Sequence, residues 1–202
     1  MAREYVDLYL QRLDEEGVAV LAGYGYRQAC VENLPNGFVE IARRLGLTVR
    51  RKKVLNPSSR AELLECLRET SDGVCVSVRP MSREALMTAV RDTRVDTVLI
   101  HGGVAEIDRH IIEVWENGIE IAVSELLACV ENVKMLRTVM AYCRKAVENN
   151  IPLTVSSGAA STDEILPPQQ LAYVLAALTD FETPIVQAVS TTPIKILEKV
   201  RK

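Results

Sequence analysis

The chain has 202 residues, 48% of them hydrophobic and 25% charged, with 24 Lys and Arg against 27 Asp and Glu and a formal net charge of -3. That length can bury one sizeable core, so residues 1-202 read as one domain, and there is no apolar run of about eighteen residues to span a bilayer. The opening "MAREYVDLYLQRLDEEG" places charges where a secretory signal needs its apolar centre, so a soluble cytoplasmic protein without membrane contact is expected.

Short β-rich runs alternate with helical patterns from end to end, which is the βα rhythm. In chain order the expected strands are 5-10, 17-25, 47-55, 73-80, 95-103, 119-127, 151-158 and 184-191. Between them, "SRAELLECLRETSDG" opens on a capping serine and closes on glycine, "SREALMTAVRD" has Ser82 as its cap, and "DRHIIEVWENG" ends on a glycine stop. The helix 131-148 repeats Val133, Leu136, Met140, Cys143 and Val147 at steps of three and four, an expected buried stripe, with Lys134, Arg137, Arg144 and Lys145 on the adjacent face. Continuously apolar strands suit a parallel sheet covered by helices. The expected fold is therefore α/β, a single (β/α)8-like, irregular TIM-type barrel, with an open doubly wound sheet as the alternative.

Candidate chemistry belongs where such strands end: Tyr24, Tyr26, Asn56, Arg79, His101 with Gly102 and Gly103, Ser124 with Glu125, Ser156 with Ser157, and Ser190 with Thr191. A metallohydrolase barrel wants a His-x-His pair on its first strand, where this chain has Asp7 and Tyr9, and only His101 and His110 exist as imidazole donors. The five cysteines (Cys30, Cys66, Cys75, Cys129 and Cys143) form no C-x-x-C pair and read as reduced core thiols. Ser156 and Ser157 have no G-x-S-x-G elbow and no evident base. With Gly158 they read as a strand-to-loop turn whose hydroxyls serve nearby backbone groups, with Gly158 at positive φ. The stretch "RRLGLTVRRKKVLNPSSR" (43-60) holds seven basic residues and no acidic one, so a positive patch can exist on a mildly acidic chain.

The order of segments resembles the archaeal ribonuclease P protein component 3 family, related to a protein subunit of the eukaryotic enzyme. The resemblance rests on "YVDLYL", where the family usually has Y-x-D-L-H, then "RVDTVLIH", "EIDRHIIEVWENGIEIAVSELL" and "LRTVMAYCRKAVENNIPLTVSSGA". It closes on "AVSTTPIKILEK", similar to the family's A-[LV]-S-x-x-P-x-x-I. The resemblance implies an irregular barrel related to metallohydrolases that acts as a noncatalytic subunit of ribonuclease P, the ribonucleoprotein that removes the 5′ leader from precursor tRNA. The implied partners are the ribonuclease P RNA, ribonuclease P protein component 2 and other protein subunits, with precursor tRNA contacted indirectly. No cofactor or metal is expected on the chain itself, while Mg²⁺ serves the RNA component. RNA-contact candidates are Arg79, Arg91, Arg94, Arg109, Arg137, Arg144 and Lys145, because phosphate contact needs persistent charge and several donors. Two rival readings remain: a stand-alone metal-dependent barrel hydrolase or phosphoesterase using Asp7, His101 and His110, and a plain interaction scaffold. The scaffold is separated from the RNA reading by whether the basic residues of 43-60 and 134-145 share one surface.

Overall fold

The computed structural model describes residues 3-180 and 185-200. Seven parallel strands pair in sequence order: β1 (Tyr5–Arg12), β2 (Tyr26–Asn33), β3 (Thr48–Leu55), β4 (Cys75–Val78), β5 (Thr97–Leu99), β6 (Gly118–Ala122) and β7 (Leu153–Ser156). The outer helices are α1 (Glu15–Gly23), α2 (Phe38–Arg44), α3 (Arg60–Arg68), α4 (Arg83–Ala89), α5 (Arg109–Glu113), α6 (Val123–Leu127), α7 (Val133–Glu148) and α8 (Pro168–Thr179), followed by α9 (Thr191–Lys199). The result is an irregular α/β barrel of TIM type, nearly closed, with one seam between β7 and β1.

Local chemistry explains most of the boundaries. Ser59, Ser82, Asp108 and Asn132 each accept a backbone N–H from the first turn of α3, α4, α5 and α7. The run 17-25, expected as a strand, is instead most of α1. Asp14 accepts the Gly17 N–H at 2.7 Å, Glu15 and Glu16 occupy the first turn, and Gly17, Val18 and Leu21 form a buried helical face. The true second strand is "YRQACVEN", whose polar residues masked it.

The expected strand at 184-191 is also absent. Pro184 lies outside the described residues, and Val186–Val189 form one 3-10 turn packed against both β7 and β1, where an eighth strand would sit. The sheet joins across this seam at its C-terminal end through a Leu10–Ala159 bridge, with the Gly158 N–H donating to Tyr9 O at 2.9 Å and the Gln11 N–H to Ala159 O at 2.8 Å. The run 119-127 splits into β6 and α6, and 95-103 shortens to β5. The buried face of α7 is Val139, Tyr142, Cys143 and Ala146, while Val133 and Val147 are exposed. The expected stripe is thus rotated, because β7 and α8, which pack against α7, decide which face is covered.

The main core lies between sheet and helices. Inside the barrel, Val6, Leu8, Cys30 and Cys75 pack against Ile196, Leu197 and Val200, so α9 closes one end. Ile196 and Lys199 sit among the loops that lead into β5, β6 and β7, which makes this the N-terminal end of the strands. All five cysteines are free thiols. Among the described residues no helix is long and apolar enough to cross a membrane.

Candidate functional site

The barrel interior holds a fully buried polar cluster centred on Glu120. Strand side chains alternate inward and outward, so within "RRKK" of β3 the pleat turns Lys52 into the barrel and leaves Arg51 outside. Lys52 Nζ donates to both Glu120 oxygens at 2.9 and 2.8 Å and to Leu8 O at 2.7 Å. It also lies 5.0 Å from the centre of the Tyr9 ring. The hydroxyls of Ser77 (2.9 Å), Thr97 (2.6 Å) and Ser156 (2.9 Å) complete the shell of the carboxylate. Burial pulls the Lys52 ammonium down, but the Glu120 carboxylate, with Cys75 and Cys30 beside it, more than offsets this and the net shift is upward. Every acceptor position of Glu120 is used and both side chains are sealed from solvent. Such a cluster holds strands together; no substrate reaches it.

A second carboxylate guards the seam. β1 carries an extra residue between Asp7 and Leu10 relative to β2, and this bulge puts the neighbours Leu8 and Tyr9 both inside the barrel. Asp7 accepts the Tyr9 N–H at 3.1 Å, the Ser157 N–H at 3.2 Å and the Ser157 hydroxyl at 2.7 Å. Burial raises its pKa to about 6, against the lowering by Ser157 and Tyr9, and Glu120 adds a smaller upward push. The Ser156 and Ser157 hydroxyls, expected to serve backbone groups, are thus directed mainly at two buried carboxylates. Gly158 has φ +67, and a Cβ there would lie 2.0 Å from Ser124 Oγ, so both conformation and space require glycine.

At the C-terminal mouth, Arg79 pairs with Glu125, tying the end of β4 to α6. The Tyr9 hydroxyl donates to Glu32 at 3.2 Å, and its pKa is pushed up to about 12 by burial and then by Glu32. His101 Nε2 lies 2.9 Å from Pro80 O, and Nδ1 accepts the Gly103 N–H at 3.2 Å, an arrangement that assigns the proton to Nε2. Both ring nitrogens are therefore occupied, and burial, with the nearby Arg79, lowers the pKa. His110 is exposed on α5 and Asp7 belongs to the seam. The three residues of the hydrolase alternative do not converge, and among the described residues no three His, Cys, Asp or Glu side chains are grouped to hold a metal ion.

Of the strand-end candidates, Tyr24 caps α1 at its C-terminus. Tyr26 starts β2 and donates to Leu166 O at 2.7 Å, and Ser190 donates to Val186 O at 2.7 Å.

The basic candidates are dispersed. Arg79 and Arg109 lie toward the C-terminal end of the strands; Arg91, Arg94, Arg144 and Lys145 lie toward the N-terminal end, because the helices run antiparallel to the strands. Five are neutralised within the chain: Arg79 by Glu125, Arg94 by Asp92, Arg109 by Glu113, Arg144 by Asp180 and Lys145 by Glu148. Asp92 also raises the pKa of Arg94. Among the described residues Arg91 and Arg137 have no such partner. The basic stretches 43-60 and 134-145 do not share a surface, since one belongs to α2, β3 and α3 and the other to α7 beyond β6. Sequence reasoning missed Lys52, Ser77, Thr97, Glu120 and Glu32; the signal available was a carboxylate inside the apolar strand "IEIA".

No family model and no curated protein matches this sequence. Solved structures share its fold. A chain of archaeal ribonuclease P, in a cryo-EM structure with mature tRNA, matches with a TM-score of 0.75 at 18% identity, over 96% of this chain and 90% of that one. An amidohydrolase matches with a TM-score of 0.60 at 11% identity, over 98% of this chain and 76% of that one.

Proposed function

We propose that this chain is a protein subunit of ribonuclease P, of the component 3 kind, which supports the catalytic RNA together with component 2 during removal of the 5′ leader from precursor tRNA. The observation that carries the reading is the end-to-end fold likeness to a chain of the archaeal ribonucleoprotein, in which nearly all of both chains is used. The chemistry inside the barrel agrees with a noncatalytic role. Where a barrel hydrolase gathers metal ligands, this chain has a hydroxyl-saturated ion pair, a histidine with both nitrogens engaged, and a tyrosine bound to glutamate. In this reading the chain binds no metal, Mg²⁺ acts on the RNA, and the protein works in the cytoplasm.

RNA contact centres on Arg91. It lines a groove of about 410 Å³ between α3 and α4 with Arg60, Glu84 and Asp92; both guanidiniums are exposed, and among the described residues neither forms an ion pair. Arg79, Arg94, Arg109, Arg144 and Lys145 reach phosphate only by exchanging an existing carboxylate, so their contribution is smaller. The test is reconstitution of precursor-tRNA cleavage from the RNA and the protein subunits. Omitting this chain should weaken cleavage, and Arg60→Gln with Arg91→Gln should lower RNA affinity and flatten its salt dependence by roughly one per lost contact. Cleavage indifferent to the chain overturns the subunit reading, and an unchanged salt slope overturns the groove.

A further inference from the structure

Among the described residues, the three most exposed large aliphatic side chains fall in one short stretch: Leu127 at 66%, Val130 at 57% and Val133 at 62%. They run from the last residue of α6 to the first of α7. The stretch is firmly seated. The Cys129 N–H donates to Leu126 O and the Asn132 N–H to Cys129 O, each at 2.9 Å, and Cys129 itself is buried. Beneath it passes the loop after β5, so closely that a Cβ on Gly102 would lie 2.5 Å from Met135 Cβ and 2.7 Å from Cys129 Sγ.

Next to this shelf α7 exposes Lys134 and Arg137, which border a groove of about 310 Å³ together with Thr138, Ala141, Glu106 and Ile107. Among the described residues neither cation forms an ion pair, Glu106 in the same groove included, and Glu131 is exposed between Val130 and Val133. Further along the same helix, Arg144 and Lys145 are held by Asp180 and Glu148. Folding therefore leaves aliphatic surface in water beside two cations that no described residue pairs, an apolar centre with a charged border of the kind that protein interfaces bury.

The geometry points to a docking face for a protein segment that lays aliphatic side chains on Leu127, Val130 and Val133 and brings carboxylates to Lys134 and Arg137. Aliphatic side chains offer a nucleic acid neither charge for its phosphates nor a π face for its bases, whereas they fill the centre of a protein contact. The inference stands apart from the ribonuclease P reading, because it rests on this surface alone.

Selection of a display library of random linear peptides on the whole chain tests it. Recovered peptides should combine Leu, Ile, Val or Phe with Asp or Glu. The double variant Leu127→Asp, Val130→Asp should weaken their binding by about tenfold or more. The double variant Lys134→Glu, Arg137→Glu should lose the same peptides and select basic ones instead. All four positions are exposed, so both variants should retain the wild-type melting curve, and Lys134→Gln with Arg137→Gln should give an intermediate loss of acidic peptides. Failure to enrich such peptides, or binding indifferent to both double variants, overturns the inference. Self-association abolished by Leu127→Asp would name a second copy as the occupant. Affinity for a transcribed RNA lost in the Lys134 and Arg137 variants, with peptide binding intact, would name RNA. Either result also overturns it.

Discussion

Two buried carboxylates in one barrel are treated in opposite ways. Glu120 meets a cation and three hydroxyls, and the ammonium that faces it stays charged despite burial. Asp7 has only neutral donors, two backbone N–H groups and one serine hydroxyl, and its pKa rises to about 6. Both are buried, so the difference lies in the partner: Lys52 faces Glu120 with its ammonium, while the donors around Asp7 are neutral and burial raises its pKa. The place of each in the fold matches. Glu120 ties β6 to β3 across the barrel interior, where nothing needs to give, and Asp7 holds the one junction where the regular ladder is missing.

Breaking the paired site should have the largest effect. Lys52→Met leaves Glu120 buried without its cation and should cost about 3–5 kcal/mol in urea unfolding, whereas Lys52→Met with Glu120→Met should recover most of that loss. A double variant as unstable as the single would mean that the pair itself, rather than the orphaned charge, stabilises the barrel.

At the unpaired site the expected signature is pH dependence. A group whose pKa is raised on folding contributes stability that is fully present below its ordinary value and is lost as pH rises through the folded value. A shift from 3.8 to about 6 therefore removes about 3 kcal/mol on going from acid to neutral pH. Asp7→Asn, which keeps the shape and removes the charge, should flatten the stability profile between about pH 4 and 6. The groups facing Asp7, Glu120 and Tyr26, are unaltered in that variant, so a profile identical to wild type would place the titration elsewhere.

Gly158→Val strikes the seam alone. The positive φ and the closeness of Ser124 together should cost about 2–3 kcal/mol, measured as a lower thermal midpoint. Adding Ser124→Gly should return the steric part and leave the backbone part. The finest comparison is between neighbouring serines. Ser156→Ala takes one of several donors from Glu120 and should cost about 1 kcal/mol. Ser157→Ala takes the only side-chain donor from Asp7, should cost about 2 kcal/mol at neutral pH, and should raise the Asp7 pKa further. Equal costs would mean that the two carboxylates are not distinguished by their partners.

The alternation of strands and helices and the caps at Ser59 and Ser82 were legible in the sequence, because each depends on residues within a few positions of one another. The positive φ of Gly158 was legible for the same reason. The apolar run 17-25 was not, since a short apolar stretch carries no period that separates strand from helix; the cap at Asp14 and the sheet partner waiting at β2 settle it. Nor was the exposed side of α7, because two rotations of an amphipathic helix satisfy nearly the same pattern and only the neighbouring elements choose between them. Lys52 read as part of a basic run, and Glu120, 68 residues away, as an isolated acid. Only closure of the sheet into a barrel makes them partners, since pairing between inward-facing strands is set by curvature and register, which no local pattern of residues encodes.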